Sequence, residues 1–248
     1  MAIAHDNASS ADTGGGTSVT LSHTVNSNTN GLLIVSVMLG TGVSNDITSV
    51  TYNGDAMTFH EFANASTTAF AAVCAVYYLF TPDTGTHDVA VTTTANAINY
   101  VLASSYTGVK QSGFPDVVGT GSPAGSEVGQ ADLSVSITSS ADNCWGLLIG
   151  DANVSGGITA GTNTLVRTSQ DGGRDVISDT NGAQTPAGAF SMNWTFATAK
   201  FNAVYFSIAP ALSAGPANLK TYNTNLKANV KGINTNVIAN VKTLDTNV

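Results

Sequence analysis

The most continuously apolar run in the chain is Gly31-Leu-Leu-Ile-Val-Ser-Val-Met-Leu39. Its length suits a strand buried on both faces and falls far short of a membrane-spanning helix. Around it the pattern changes to strict alternation. Val19, Leu21, His23 and Val25 are separated by Thr and Ser, which marks a strand with one buried face. Ile47–Tyr52 is a third strand. It stops at Asn53-Gly54, a strong two-residue hairpin signal, and Ala56–His60 runs back. Further strands are predicted over 69–80, over His87–Thr92 after the turn Thr81–Gly85, and over Tyr100–Tyr106. Two stretches lack the pattern. Residues 5–18 read as a loosely structured leading arm, and 108–131 as a connection rich in Gly, Pro and Ser.

The order of segments then returns. Leu133–Ile137 matches Val19–Val25, and Trp145–Ile149 matches Gly31–Ile34. Leu165–Thr168 parallels Met57–Phe59, Phe190–Phe196 parallels His87–Thr92, and Phe201–Ile208 parallels Tyr100–Tyr106. No segment in 1–212 has a helical period. Many short strands at even spacing predict an all-β protein, a jelly-roll-like antiparallel β-sandwich with a weak internal duplication. Neither half is rich in large apolar residues, so one two-sheet body over 1–212 is expected in preference to two small domains.

A small-residue linker, 213–218, leads to a repeat of period eleven over 219–248. Leu219, Tyr222, Leu226, Val230, Ile233, Val237, Val241 and Leu244 recur at 3-4-4 spacing, with Lys220, Lys231 and Lys242 at matching positions. That spacing is the hendecad of a right-handed helical coil. The many Asn, Thr, Val and Ile residues oppose helix and favour β or extended structure. One thin apolar stripe cannot fold alone. These residues are therefore the candidate assembly positions, for oligomerisation or anchoring.

Charge sharpens this division. Residues 1–218 carry four basic and fifteen acidic side chains, 4 − 15 = −11; residues 219–248 carry four Lys and Asp245, 4 − 1 = +3. An acidic body argues against nucleic-acid binding, and the basic tail suits an acidic partner, including a neighbouring copy. Charged residues are only 10% of the chain. Apolar and aromatic residues remain frequent enough to argue against intrinsic disorder. Cys74 and Cys144 lie in apolar segments and read as two buried free thiols; the alternative, one disulfide, needs an oxidising compartment. The amino terminus has neither the basic nor the apolar region of a signal peptide, so synthesis in a cytoplasm is expected. The sequons at Asn7, Asn64, Asn153 and Asn193 read as by-products of composition.

Candidate chemistry is sparse. His5, His23, His60 and His87 are scattered singly, against a zinc site, and no nucleophile elbow, phosphate loop or dinucleotide fingerprint occurs. Ser is so abundant that any Ser/His/Asp triple chosen from the sequence is arbitrary. Asp171-Gly-Gly-Arg-Asp175, with Asp179 beyond, offers oxygen ligands to calcium but reads better as a solvated hairpin tip. Tyr52, Phe59 and Phe62 are candidate glycan-stacking aromatics, set against the commoner reading that strand aromatics are core. No catalytic residue, metal or cofactor is assigned.

The segments Leu-Ser-His-Thr-Val, Gly-Leu-Leu-Ile-Val-Ser-Val, Val-Thr-Tyr-Asn-Gly-Asp-Ala-Met-Thr, Tyr-Tyr-Leu-Phe-Thr-Pro-Asp-Thr-Gly and Ser-Tyr-Thr-Gly-Val resemble, in that order, a β-sandwich domain of phage virion proteins and bacterial surface proteins. The resemblance covers roughly 3–210, and the tail looks like the short repeats appended to such proteins. It implies a non-enzymatic bacteriophage virion protein: capsid decoration, head fibre or tail-associated. The implied partners are other copies of itself, a trimer among the options, and other virion proteins. Two alternatives are a carbohydrate-binding adhesin module contacting host-surface glycans, on a virion or a cell surface, and an extracellular filament subunit assembled by strand donation. Neither nucleic acid nor membrane insertion is expected.

Overall fold

The computed structural model describes residues 1–40, 45–64, 73–95, 98–122, 124–154 and 156–212. The described chain is all-β, with sixteen strands and a single 3₁₀ turn at Asp171–Gly173. The first half contains β1 (Ala4–Gly16), β2 (Ser18–Val25), β3 (Leu32–Leu39), β4 (Ile47–Tyr52), β5 (Asp55–Ala56), β6 (Thr58–Asn64), β7 (Val73–Phe80), β8 (Gly85–Thr93) and β9 (Ile98–Thr107). The second contains β10 (Val117–Val118), β11 (Ala124–Thr138), β12 (Trp145–Ala152), β13 (Thr159–Ala160), β14 (Leu165–Gln170), β15 (Asp175–Asp179) and β16 (Ala189–Ile208).

In the first half one antiparallel sheet has the order β1-β9-β3-β7-β6, and the facing sheet has the order β2-β8-β4-β5. Strands β1 to β4 thus alternate between two four-strand layers and β7 to β9 return between them, which is jelly-roll winding; β6 extends one layer. The Asn53-Gly54 hairpin forms as its residues predict. Both have positive φ, 51° and 88°, and Tyr52 pairs with Asp55.

The second half repeats these neighbours. β12 lies between β15 and the second part of β16, as β3 lies between β7 and β9, and β14 borders β15 as β6 borders β7. The second part of β11 pairs with the first part of β16, as β2 pairs with β8. The short β13 also sits on that part of β16, in the place of β4 beside β8. Every predicted equivalence is therefore matched in topology. The main departure is that β11 and β16 each run continuously through both layers, with register shifts in β11 between Ser126 and Asp132.

Residues Met1–Ala211 form one compact unit; of Leu212–Val248 only Leu212 is described. The unit's described residues form three apolar clusters. One fills the first jelly roll, with Leu33, Val35, Val37, Tyr52, Val89 and Val91. Another fills the second, with Ile137, Leu148, Val176, Met192, Trp194 and Tyr205. The third is a seam between them. In it Leu32, Ile34, Met38, Val76 and Tyr106 of the first half meet Trp145, Leu147, Ile149, Ile177, Val204 and Phe206 of the second. Alternation accounts for this: successive residues of β3 face the first core and the seam in turn, so the whole strand is buried.

Two expectations need correction. A single body is found as expected, but it has three sheets rather than two and each half closes a core of its own. Buried Ala, Cys and Ser stand beside large residues such as Tyr52 and Trp194, and the seam buries each inner sheet's other face. The leading arm is also wrong. Residues 4–16 are a thirteen-residue strand in register with β9. Its Ser, Asn, Thr and Asp side chains are held by hydrogen bonds rather than by apolar burial, so no hydrophobic alternation marked it. The predicted strand over 69–80 is observed as Val73–Phe80, with 69–72 outside the described residues. The connection over 108–131 gives way at Ala124 to β11.

Candidate functional site

The three aromatic candidates separate. Tyr52 is fully buried in the first core, its hydroxyl donating to the carbonyls of Asp83 and Gly85, so it offers no face to a sugar. Inward alternation from Val50 places it there. Phe59 is 43% exposed, with its ring centroid 6.5 Å from the half-buried Phe62 and 5.4 Å from Tyr77. Phe62 also lines, with Glu61, Ala63, Asn64, Ala124 and Gly125, an open depression of about 280 Å³ between β6 and β11.

The acidic turn is a hairpin tip between β14 and β15. Asp171 forms a 2.7 Å ion pair with Arg174, while Asp175 and Asp179 are buried within the sheet. The carboxylates point to separate environments and make no common oxygen cage. Among the described residues no group of three His, Cys, Asp or Glu side chains is arranged to hold a metal ion. Cys74 and Cys144 are buried free thiols, which burial pushes up to about 12 and about 11.

The structure joins residues that sequence spacing could not. Ser9 Oγ lies 2.7 Å from His23 Nδ1, His23 Nε2 lies 3.2 Å from Ser105 Oγ, and Ser105 donates to Asp6 at 3.0 Å. Ser9 and His23 have the reach of a nucleophile and base. Burial, however, depresses His23 to about 4 and makes it a weak proton acceptor, and the carboxylate reaches it only through a second hydroxyl. What the relay does is tie edge strand β1 to β2 and β9, because every ring and hydroxyl dipole in it is consumed locally.

Two further polar groups lie in the seam. Asp179, 0% exposed, accepts from Arg167 Nε at 2.6 Å, from the Tyr106 hydroxyl at 3.2 Å and from the Asn181 amide at 2.7 Å. The Arg167 guanidinium also lies 5.7 Å from the centre of the Trp145 ring. Tyr106 belongs to the first half and Asp179 to the second, so this cluster joins them. Farther along the same two strands, Asp151 of β12 stands directly opposite Asp175 of β15. Burial raises both carboxyls, Asp175 to about 7 and Asp151 well above the ordinary range, with Asp175 a further cause for Asp151. Each of these residues reads singly as a turn or edge polar group. Only strand register shows the clusters.

The candidate assembly residues, from Leu219 to Leu244 with Lys220, Lys231 and Lys242, lie outside the described residues. Compared with known protein families, with curated proteins and with solved structures, the chain finds no match in any of the three.

Proposed function

We propose that the protein is a non-enzymatic structural component of a virus particle, a capsid-decorating, head-fibre or tail-associated protein. In this reading the paired jelly rolls are displayed and the repeats of 219–248 oligomerise or anchor to an acidic neighbour. The observation that carries the reading is the tandem jelly roll, since jelly rolls recur in viral capsid and lectin domains. The charge opposition of body and tail, −11 against +3 as counted above, supports anchoring between copies. The polar relay and seam clusters add support, because their hydrogen bonds hold strands and halves together.

The test is removal of 219–248. The truncated chain is expected to stay folded and soluble and to be lost from particles; undiminished incorporation refutes the anchoring role. A glycan-binding adhesin is the second reading, favoured by the exposed Phe59 beside Phe62 and Tyr77. Glycan-array binding abolished by Phe59→Ala supports it, and an array with no signal for the native chain counts against it.

A further inference from the structure

The seam between the halves treats its carboxylates unequally. At Asp179 a guanidinium is in contact. Among the described residues no ion pair to Asp151 or Asp175 stands beside it. Both residues continue the alternation that points Ile149 and Ile177 into the seam, so both carboxyls face the inner sheet of the first half. Asp151 is 7% exposed and Asp175 3%, and Asp151 Oδ1 accepts no hydrogen bond from the described residues. Asn202 of β16 stands opposite Asp151 on its other side.

The surrounding groups do not neutralise them. Arg174, just before β15, draws both carboxyls down, but its guanidinium is committed to Asp171 and to the Asn153 side chain, and Asp171 itself opposes it. From the first half the pair is felt by Cys74, hydrogen-bonded to Ser36, while Tyr100 feels Asp175, Asp171 and Asp12. Both are neutral groups whose ionisation is pushed upward, so neither supplies a positive charge. Two carboxylates on directly opposed strand positions, out of water, cannot both ionise without penalty.

We propose that this pair makes the seam between the two jelly rolls a proton-dependent joint. A proton held on the pair lets the inner sheets close, and its loss sets like charges side by side in the seam and loosens it. A carboxyl whose folded pKa lies above its unfolded one favours the fold most at low pH and loses that contribution as pH rises. With ordinary unfolded carboxyls near 4, Asp175 near 7 and Asp151 higher, the loss runs upward from about pH 4, ends near neutrality for Asp175 and continues into the alkaline range for Asp151. Each half has its own core, so loosening exposes the seam while both jelly rolls remain wound.

The experiment uses the full chain, with Asp151→Ser and Asp175→Asn. Asp151→Ser installs the residue type that Ser36 holds on the matching strand β3. Thermal midpoints are measured from pH 6 to 9, with amide exchange corrected for its intrinsic pH dependence. The native chain should lose on the order of 5 °C across that interval. Exchange in β3 and β12 should accelerate more than in β8 of the outer sheet, and each variant should lose at least half of the fall. A native midpoint that holds or rises with pH overturns the proposal. So does an equal fall in both variants, or restoration of the native midpoint at pH 9 by calcium alone. If Asp151→Ser does not fold, Asp175→Asn carries the comparison.

Discussion

Arg167→Leu should be among the most damaging single changes in the body. Asp179 is fully buried and Arg167 only 14% exposed, with 2.6 Å between guanidinium nitrogen and carboxylate. Removing one partner of a buried pair leaves an uncompensated charge, which costs about 3–5 kcal/mol. Asp179 would keep its bonds from Tyr106 and the Asn181 amide, which favours the lower figure. The lost contact over Trp145 adds about 0.5–1 kcal/mol, so the total is about 3–4 kcal/mol. For a body of this size that lowers the thermal midpoint by roughly 6–16 °C. The decisive assay is a double-mutant cycle by reversible unfolding at pH 7, using Arg167→Leu, Asp179→Leu and the pair. An apolar pair leaves no orphaned charge, so the double variant should be more stable than the sum of the singles predicts by at least about 2 kcal/mol. Strict additivity, or an Arg167→Leu cost below about 1 kcal/mol, would refute the reasoning.

Other outcomes follow from the same hydrogen-bond accounting. Ser178 accepts the Trp194 indole N–H at 3.0 Å and donates to the Leu148 carbonyl, so Ser178→Ala should cost about 1–3 kcal/mol, read as a lower denaturation midpoint with unchanged m-value. Burial holds His23 and His60 near 4, below the ordinary 6.5. The folded state therefore disfavours their charged forms, and stability present above pH 6.5 should drain away as pH falls toward 4, by at most about 3 kcal/mol for His23 and less for the half-buried His60. His60→Phe, placed among Phe114 and Phe206, should flatten part of that acid loss in pH-dependent melts; an unchanged profile would show that the ring is already solvated.

Much of the fold was legible because period-two alternation and turn chemistry report on one strand at a time. Gly31–Leu39 read as doubly buried and is so, and its echo at Trp145–Ile149 occupies the matching central position. Asn53-Gly54 made the turn that its backbone preferences demand. Strand β1 was missed because its stabilisation is polar and its partner, β9, lies about ninety residues away. The separate cores were missed because residue volume was judged by counting large side chains. In each half buried Ala and Cys take part of the core, and at Gly150 even a Cβ would collide with the Asn202 carbonyl oxygen.

The seam shows where single-strand reading stops. Trp145, Leu147, Ile149 and Asp151 share one parity, so an acidic residue at the end of an apolar face was visible in the sequence. Its meaning depends on what stands opposite, and that is set by the register of β15, twenty-four positions on. Shifting β15 by one residue would turn Asp175 and Asp179 toward the second core and Val176 toward the seam. Both the ion pair at Asp179 and the carboxyl pair at Asp151 therefore rest on a single choice of register. Ser178 favours that choice, because on the second-core face it accepts the Trp194 indole N–H and donates to the Leu148 carbonyl. Register settles which charges meet, and in the proposed joint those charges determine how the seam responds to protons.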